Sequence, residues 1–300
     1  MKRAEFIKKA GVLAAGATLL PLTSLGKNKD RLVILHTNDW HSHINAFDKN
    51  HKKYPGQGGA SRRAELIAEI RSNYKNVLVL DSGDIFQGTP YFNFYGGELE
   101  FKLMSKMGYD FATLGNHDFD GGIDGFVKQL PHASFKFLCA NYDFTGTELE
   151  GLIDAYAITK RGKFKIGVFG IGIELEGLVP DHLCKGVKYL DPISKANETA
   201  QILKDEGCNL IICLSHLGYE YKSDKVSDRV LARSSKNIDL ILGGHTHTFL
   251  SSPQPEKNKI GKEIFINQTG WAGINLGRID YETSSSKTAS ILGYDYQNIS

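Results

Sequence analysis

The sequence predicts an α/β fold in which helices cover sheets of short, buried strands. Two patterns in its 300 residues indicate this architecture. Short apolar runs without alternation are typical of strands that are buried on both faces. Amphipathic stretches of helical period lie between these runs, and such strand–helix alternation is typical of α/β domains. With 41% hydrophobic residues, the chain can bury one large core.

The predicted strands and helices follow one another in a regular order. Five strands are predicted at residues 32–35, 77–80, 111–114, 210–214 and 238–242. Four helices are predicted at residues 60–74, 98–107, 123–130 and 193–206. Gly108 is predicted to end the second helix, because glycine is frequent just after a helix C-terminus.

The C-terminal part of the sequence has a different pattern. Residues 264–267, 274–281 and 291–296 alternate like antiparallel strands joined by turns. A hairpin is also expected at residues 160–163, which separate two apolar runs. This mixture of elements favours two sheets packed on each other between layers of helices.

The first 26 residues resemble an export segment rather than part of the fold. A basic start precedes the uncharged stretch 10–22, which is too short to span a bilayer. The start is similar to a twin-arginine signal with Ala4 in place of the second arginine, so twin-arginine export and general secretion both stay open. A disordered N-terminal helix is the alternative. We expect residues 1–26 to direct export to the periplasm or the extracellular space, and residues 27–300 to form one domain without a membrane span.

The charge balance and the cysteines exclude several classes of protein. Lys plus Arg total 36 and Asp plus Glu total 34, so the chain lacks the basic field with which proteins grip nucleic acid polymers. The four cysteines are too few for a disulfide framework, and none has the C-x-x-C spacing of a zinc–thiolate site. One structural disulfide stays open.

The functional signal is a set of possible metal ligands, each close to the end of a predicted strand. In α/β proteins, functional groups collect where strands end and loops begin. Two pairs of these ligands are spaced two residues apart, which in an extended backbone would point both side chains to one side. The set comprises Asp39, His41, Asp84, Asn116, His216, His245 and His247.

These ligands predict a site for two divalent metal ions. The seven residues offer carboxylates, imidazoles and one amide oxygen, which are too many donors for one ion. Because the set contains no thiolate, it suits Mn, Zn, Fe or Co. Asp84, which is central in the order of the motifs, is the predicted bridging ligand. Two adjacent ions can share a water and deliver the resulting hydroxide to a bound phosphorus atom.

His117 and Asp120 are predicted to assist the leaving group. His117 directly follows Asn116, so its imidazole is expected in the same cavity, where it can protonate the leaving oxygen or stabilise its charge. Asp120 is predicted to orient this ring, and Asp118 is an alternative that spacing leaves open. Each motif alone is also common in turns and surface loops. Their joint occurrence at five strand ends favours a functional site.

The motifs together resemble those of the calcineurin-like metallophosphoesterases, whose pattern is D-x-H, G-D, G-N-H-D/E, a histidine and G-H-x-H. Residues 36–43, 84–90, 115–120 and 243–248 resemble the 5′-nucleotidase branch more closely. The resemblance covers residues 31–280 and implies a four-layered α-β-β-α sandwich of the metallo-dependent phosphatase type. It implies that one metal lies at the positions of Asp39, His41, Asp84 and His247, and that the other lies at those of Asp84, Asn116, His216 and His245. It also implies a catalytic dyad of His117 and Asp120.

The resemblance implies hydrolysis of 5′-nucleotides or related small phosphomonoesters by a metal-bridging hydroxide. Cleavage of 2′,3′-cyclic nucleotides, dinucleotides or nucleotide sugars, or of a sulfur ester, is the alternative. Such nucleotidases carry a second domain that clamps the nucleoside, so two alternatives stay open: a separate chain carries that domain, or the enzyme accepts other phosphate esters. The aromatic residues within 91–95 fit either a substrate wall or the core, and we expect the core.

Overall fold

The computed structural model describes residues 31–283 and 289–298, with side chains up to residue 282. The predicted export segment, residues 1–26, therefore lies outside the described residues. Within them, two six-stranded sheets pack face to face and helices cover their outer faces. The predicted α/β fold with an α-β-β-α sandwich is confirmed.

Fourteen strands build the sheets of the described chain. They are β1 Arg31–Thr37, β2 Asn76–Asp81, β3 Phe111–Ala112, β4 Lys136–Phe137, β5 Tyr142–Asp143, β6 Tyr156–Arg161, β7 Phe164–Ile171, β8 Lys188–Tyr189, β9 Leu210–Ser215, β10 Leu240–Gly243, β11 Gln254–Lys257, β12 Glu263–Asn267, β13 Asn275–Thr283 and β14 Ala289–Asn298. The first sheet has the order β14-β13-β1-β2-β3-β4, and the second has the order β11-β12-β10-β9-β7-β6. Strands β5 and β8 form a separate two-stranded sheet.

Six α-helices connect these strands within the described residues. They are α1 Ala60–Asn73, α2 Pro90–Tyr95, α3 Glu98–Met107, α4 Gly122–Gln129, α5 Pro192–Asp205 and α6 Asp228–Ser234, and two short 3₁₀ helices cover His117–Phe119 and Leu130–His132. The four predicted helices occur within one residue of their predicted bounds. Gly108 ends α3 with a left-handed φ of 76°, as predicted. Helices α2 and α6 were not predicted, because segments of six and seven residues barely establish a helical period.

Parallel pairing brings the functional ends of the strands together. In the first sheet β1, β2, β3 and β4 are parallel neighbours, and in the second β7, β9, β10 and β12 are parallel neighbours. All carboxyl ends of such strands lie at one edge of their sheet. The hairpin of β6 and β7 forms as predicted, and β13 pairs antiparallel with β1 and β14. The prediction of an antiparallel tail is only partly right, because β12 pairs antiparallel with β11 but parallel with β10.

Three apolar layers hold the four structural layers together. Along β1, Leu32 and Ile34 face the second sheet, whereas Val33 and Leu35 face helices α1 and α3. This alternation follows from the two-residue period of a strand, and both faces are buried because each sheet is covered on both sides. A third layer packs α5 and α6 on the outer face of the second sheet. Each fully buried aliphatic side chain contributes about 1.5–3 kcal/mol, so these layers rigidly position the strand ends.

The described chain shows two further features. All four cysteines are free thiols, so the disulfide left open by the sequence does not form. None of the helices in the described ranges is both long enough and apolar enough to cross a bilayer.

Candidate metal centre

All seven predicted metal ligands lie where the carboxyl ends of the two sheets meet. Those of β1, β2 and β3 come from the first sheet, and those of β9 and β10 come from the second. Six of them form two groups in which the possible ligand atoms lie within 4.8 Å of one another. We call Asp39, His41 and His247 the outer cluster, and Asp84, His216 and His245 the inner cluster.

The outer cluster joins the loop after β1 to the loop after β10. His41 Nε2 lies 3.0 Å from His247 Nε2, and His247 Nε2 lies 3.4 Å from Asp39 Oδ1. Residues 206 positions apart in the sequence therefore direct nitrogen and oxygen atoms to one point. Such a set of imidazole and carboxylate donors suits a divalent transition metal.

The inner cluster is linked to the outer one through Asp84. Asp84 Oδ2 lies 3.0 Å from His216 Nε2 and 3.7 Å from His41 Nε2 of the outer cluster. Asn116 joins the inner cluster, because its Oδ1 lies 2.9 Å from His245 Nδ1. A carboxylate between the two clusters has the position that a bridging ligand needs.

The backbone at these ligands is left-handed rather than extended. Five ligands have positive φ angles: Asp39 52°, His41 50°, Asp84 56°, His245 70° and His247 51°. The expectation that the paired ligands converge because an extended strand points them to one side is therefore wrong. They converge because each lies in a tight loop beyond its strand. Non-glycine residues in this conformation cost about 1–3 kcal/mol each and persist where neighbouring structure imposes them.

Neighbouring loops impose this conformation through backbone contacts. The amide of Asp39 donates to the carbonyl of Gly83 at 2.9 Å, and the amide of His41 donates to the carbonyl of Asp84 at 3.0 Å. A Cβ atom on Gly83 would lie 2.5 Å from the nitrogen of Gly115, and one on Gly115 would lie 2.1 Å from Asp84 Oδ1. The glycines beside the ligands are therefore needed for the close approach of the loops after β2 and β3.

The surroundings of the His216 ring indicate whether the inner cluster suits a cation. Its Nδ1 lies 2.6 Å from the carbonyl oxygen of Ser82, which only accepts, so Nδ1 carries the proton and donates. The buried Nε2 has no hydrogen-bond partner in the described chain, although Asp84 Oδ2 is 3.0 Å away. Burial lowers the pKa of His216, but Asp84 raises it more, to about 10. The cluster therefore attracts a positive charge, which a metal ion supplies.

Other histidines are held in the neutral form that binds metals. His41 Nδ1 lies 3.1 Å from the carbonyl oxygen of Gln87 and donates to it, which leaves the lone pair on Nε2. Burial lowers the pKa of His41, and burial lowers that of His245 to about 4. Both rings are therefore neutral at neutral pH and keep one unprotonated nitrogen, and the residues fit the group that the resemblance implies.

His117 and Asp120 form a contact beside the clusters. His117 Nδ1 lies 2.7 Å from Asp120 Oδ2, and the His117 ring lies 5.2 Å from the ring of His41. The hydrogen bond to Asp120 raises the pKa of His117 against the effect of burial. The His117 side chain is 40% exposed, so a substrate can reach it.

Asp118, the alternative to Asp120 as the residue that orients His117, contacts backbone groups instead. Its carboxylate accepts the backbone N–H groups of Asp84 at 3.0 Å, Ile85 at 2.9 Å and Gly115 at 2.8 Å. It therefore fixes the two loops that carry Asp84 and Asn116, whereas Asp120 contacts the His117 ring. Burial raises the pKa of Asp118 to about 7, and the Asp84 carboxylate adds to this shift.

Several residues that support the site were not predicted. The amide of Asn38 donates to Asp39 Oδ2 and to the carbonyl of Gly270, each at 2.6 Å. The Trp271 ring stacks on His247 with 5.5 Å between centroids and an interplanar angle of 1°. Asn38 could have been suspected from its place beside Asp39, but no sequence pattern indicates that Trp271 reaches His247.

The aromatic residues within 91–95 do not form the core that we expected. Phe94 is 81% exposed and Tyr95 is 51% exposed, although Phe92 packs partly against Phe86 with 5.3 Å between ring centroids. The prediction failed because helix α2 is short. It has six residues, none of them buried, and a helix of one and a half turns lacks a clear buried face.

A cavity of about 430 Å³ lies near Tyr142, and none of the seven predicted ligands lines it.

Comparisons with known proteins identify a family and several relatives. Residues 32–249 match the calcineurin-like phosphoesterase family. The snake venom 5′-nucleotidase of Gloydius brevicauda is 36% identical over 244 residues, which cover 79% of this chain and 40% of that protein. The solved 5′-nucleotidase precursor of Thermus thermophilus has a TM-score of 0.79 and 31% identity, over 90% of this chain and 54% of that one. The NAD nucleotidase of Haemophilus influenzae has a TM-score of 0.76 and 29% identity, over 90% of this chain and 56% of that one.

The chain thus spans about half the length of these relatives. The match to the family covers most of the chain and includes every predicted ligand. The fold, the clusters at the strand ends and this match lead to one conclusion: the chain belongs to the calcineurin-like phosphoesterase family.

Proposed function

We propose that the chain is a metal-dependent hydrolase that releases phosphate from 5′-nucleotides or related small phosphomonoesters. The observation that carries this proposal is the pair of three-residue clusters joined by Asp84, with His117 beside them. The names of the 5′-nucleotidase relatives support a nucleotide as the substrate.

The clusters would hold two divalent cations, with Asn116 as an additional ligand of the inner one. Nitrogen and oxygen donors without thiolates suit Mn, Zn, Fe or Co. When bound, such ions lower the pKa of a water and neutralise the charge that develops on phosphoryl oxygens. The residues themselves supply the geometry, because the buried carboxylates of Asp39 and Asp84 lie together with four imidazoles.

His117 would hold the proton that the leaving oxygen needs. Its Nδ1 is engaged by Asp120, so Nε2 is the ring atom free to face a substrate. Asp120 would fix the orientation of the ring and stabilise its protonated form, as outer-shell carboxylates do for histidines. The raised pKa of His117 keeps this proton available near neutral pH.

A second candidate function is cleavage of a diester or anhydride bond in a dinucleotide, a cyclic nucleotide or a nucleotide sugar. The likeness to the NAD nucleotidase of Haemophilus influenzae favours it. The same clusters and the same His117 would serve, because the leaving group is again an oxygen on phosphorus. Monoester hydrolysis stays the first candidate because two of the three relatives named above are 5′-nucleotidases.

We also propose that residues 27–300 act as one phosphoesterase domain and that the protein is exported. The name of the snake venom relative supports export, since venom is a secreted fluid. A separate chain that supplies a nucleoside-binding half has no support in these relatives.

A matrix of metals and substrates tests the proposed function. The full chain is stripped of metal with a chelator and reloaded with Mn²⁺, Zn²⁺, Co²⁺ or Fe²⁺. Phosphate release is then measured from nucleoside monophosphates, and diester loss from 2′,3′-cyclic nucleotides and nucleotide sugars. We expect metal-dependent phosphate release from the monophosphates. Failure to hydrolyse any ester, with two ions bound, would reject the hydrolase assignment.

A further inference from the structure

A cluster of aromatic rings lies beside the outer cluster, and only one of them, Trp271, contacts a proposed metal ligand. It comprises Phe47, His51, Tyr54, Phe249 and Trp271, and we call it the aromatic platform. Tyr54 stacks with Phe249 at 6.0 Å between centroids and with His51 at 5.8 Å. Phe249 is 42% exposed, which is unusual for a large apolar ring. The platform therefore presents flat apolar surface to the solvent.

The platform begins one ring away from a proposed metal ligand. Trp271 stacks on His247 with 5.5 Å between centroids, and Tyr54 contacts Trp271 at 6.4 Å. In a nucleoside phosphate, a ribose separates the phosphate from the base. A nucleotide whose phosphate lies at the clusters would therefore have a base that reaches far enough to contact these rings.

The backbone that positions the platform also positions the site. A Cβ atom on Gly270 would lie 2.2 Å from the Phe249 ring, so glycine lets this ring lie against the backbone. The carbonyl of the same Gly270 accepts the Asn38 amide, which also donates to Asp39. The ring of Phe249 and the carboxylate of Asp39 are thus held by one short segment. A fixed position of the Phe249 ring relative to Asp39 is expected if the ring is part of a binding surface. It is not expected of a ring that is exposed by chance.

The loop that carries Phe47 and Tyr54 is also basic. Lys49, Lys52 and Lys53 are exposed, and none forms an ion pair with any other described residue. Lys53 Nζ lies 5.0 Å from the centre of the Tyr54 ring. Unpaired positive charges around an apolar surface attract planar anions, and they increase the rate at which such ligands arrive.

We propose that the aromatic platform binds the base of a nucleotide whose phosphate lies at the metal clusters. This inference rests on the proposed function, and it adds a specificity-determining surface within the catalytic domain itself. Stacking on aromatic side chains is tolerant of the base, because every base has a π face. The platform would therefore favour nucleotides over sugar phosphates without selecting one base.

The test compares adenosine 5′-phosphate with ribose 5-phosphate, which carry the same ester and differ only in the base. The measured quantity is the ratio of the two kcat/KM values for the metal-loaded full chain. We expect the wild type to prefer the nucleotide, and Phe249→Ala and Tyr54→Ala each to reduce this ratio about 10-fold. Turnover of ribose 5-phosphate, which has no base, is the reference in each ratio, so a general loss of activity does not change the result. Phe94→Ala is the matched control, because Phe94 is 81% exposed and lies outside the platform.

A second readout needs neither metal nor turnover. Trp271 belongs to the platform, whereas the other tryptophan, Trp40, is 1% exposed. Stacked adenosine should therefore quench the tryptophan fluorescence of the metal-free chain, and Phe249→Ala should weaken this quenching.

The outcomes separate the platform from the proposed function. If neither ester is hydrolysed while adenosine still quenches, the function fails and the platform stands. A wild type without preference for the nucleotide would overturn the platform, as would a ratio unchanged in both platform variants. A loss of preference in Phe94→Ala alone would place the base on helix α2 and overturn it as well.

Discussion

The inner and outer clusters each have two buried members and one partly exposed histidine, but they differ in how individual histidines are held. In the inner cluster His216 and Asp84 are at most 1% exposed, and the His216 ring is fixed by a hydrogen bond to the Ser82 carbonyl. In the outer cluster the His247 side chain is 38% exposed and lies flat on Trp271. Charges interact more strongly away from water. The inner position should therefore hold its ion tightly, and the outer position should exchange its ion more readily.

Replacing the shared carboxylate should have the largest effect, because it acts on both clusters. Asp84→Asn removes the charge that lies 3.0 Å from His216 Nε2 and 3.7 Å from His41 Nε2. We expect the purified variant to lose most of both ions and its activity, as measured by elemental analysis and phosphate release. Asp81→Asn is the matched control, because Asp81 is equally buried but belongs to neither cluster. Full metal content in Asp84→Asn would show that the two clusters do not share this ligand.

Removing one histidine from each cluster should separate the two ions. We expect His216→Ala and His247→Ala each to lower the affinity of one ion by more than the roughly 10–100-fold that an outer-shell partner contributes. The larger loss should follow His216→Ala, because no solvent can replace a ligand that is fully buried. Calorimetric titration with Mn²⁺ measures both affinities, with His132→Ala as a control outside the clusters. Equal losses in the two variants would show that the burial of His216 and the exposure of His247 make no difference to metal affinity.

The proposed leaving-group histidine should affect turnover without affecting either cluster. His117→Asn is expected to lower kcat by about 10²-fold, the usual scale for a lost general acid. Its metal content should equal that of the wild type, since His117 belongs to neither cluster. Stopped-flow or steady-state phosphate release measures kcat. Unchanged turnover would show that His117 has a different role.

The two neighbouring aspartates should have smaller and distinguishable effects. Asp120→Asn removes the partner of His117 and is expected to lower kcat about 10-fold, with unchanged stability. Asp118→Asn turns an amide donor toward backbone donors and should lower the free energy of unfolding by about 1–3 kcal/mol. Urea denaturation and kcat are measured on both variants. A stability loss in Asp120→Asn with unchanged kcat would reverse the two assignments.

The members of both clusters could be predicted from the sequence because each of them follows a strand, and strands can be identified from short segments of sequence. Asp39 follows β1 and His216 follows β9, and parallel pairing brings such ends together in any α/β sheet. The left-handed backbone at Asp39 and His41 could not be predicted, because it is imposed by hydrogen bonds to residues more than forty positions away. The stacking of Trp271 on His247 likewise depends on how separate loops meet.

The same limit applies to the exposed helix α2. Its apolar residues favoured a buried position, but Phe94 is 81% exposed, whereas Phe86 and Phe101 of neighbouring segments are in the core. Composition indicates that a segment is apolar, and only the packing of the other elements decides which side chains are buried.

Anomalous X-ray diffraction from crystals grown with Mn²⁺ shows whether the two clusters hold two metal ions. We expect two anomalous peaks, one among Asp39, His41 and His247 and one among Asp84, His216 and His245, with Asp84 between them. The inner peak should have the higher occupancy. No peak at the clusters, or a single peak that contacts only one of them at saturating metal, would show that they do not form a site for two metal ions.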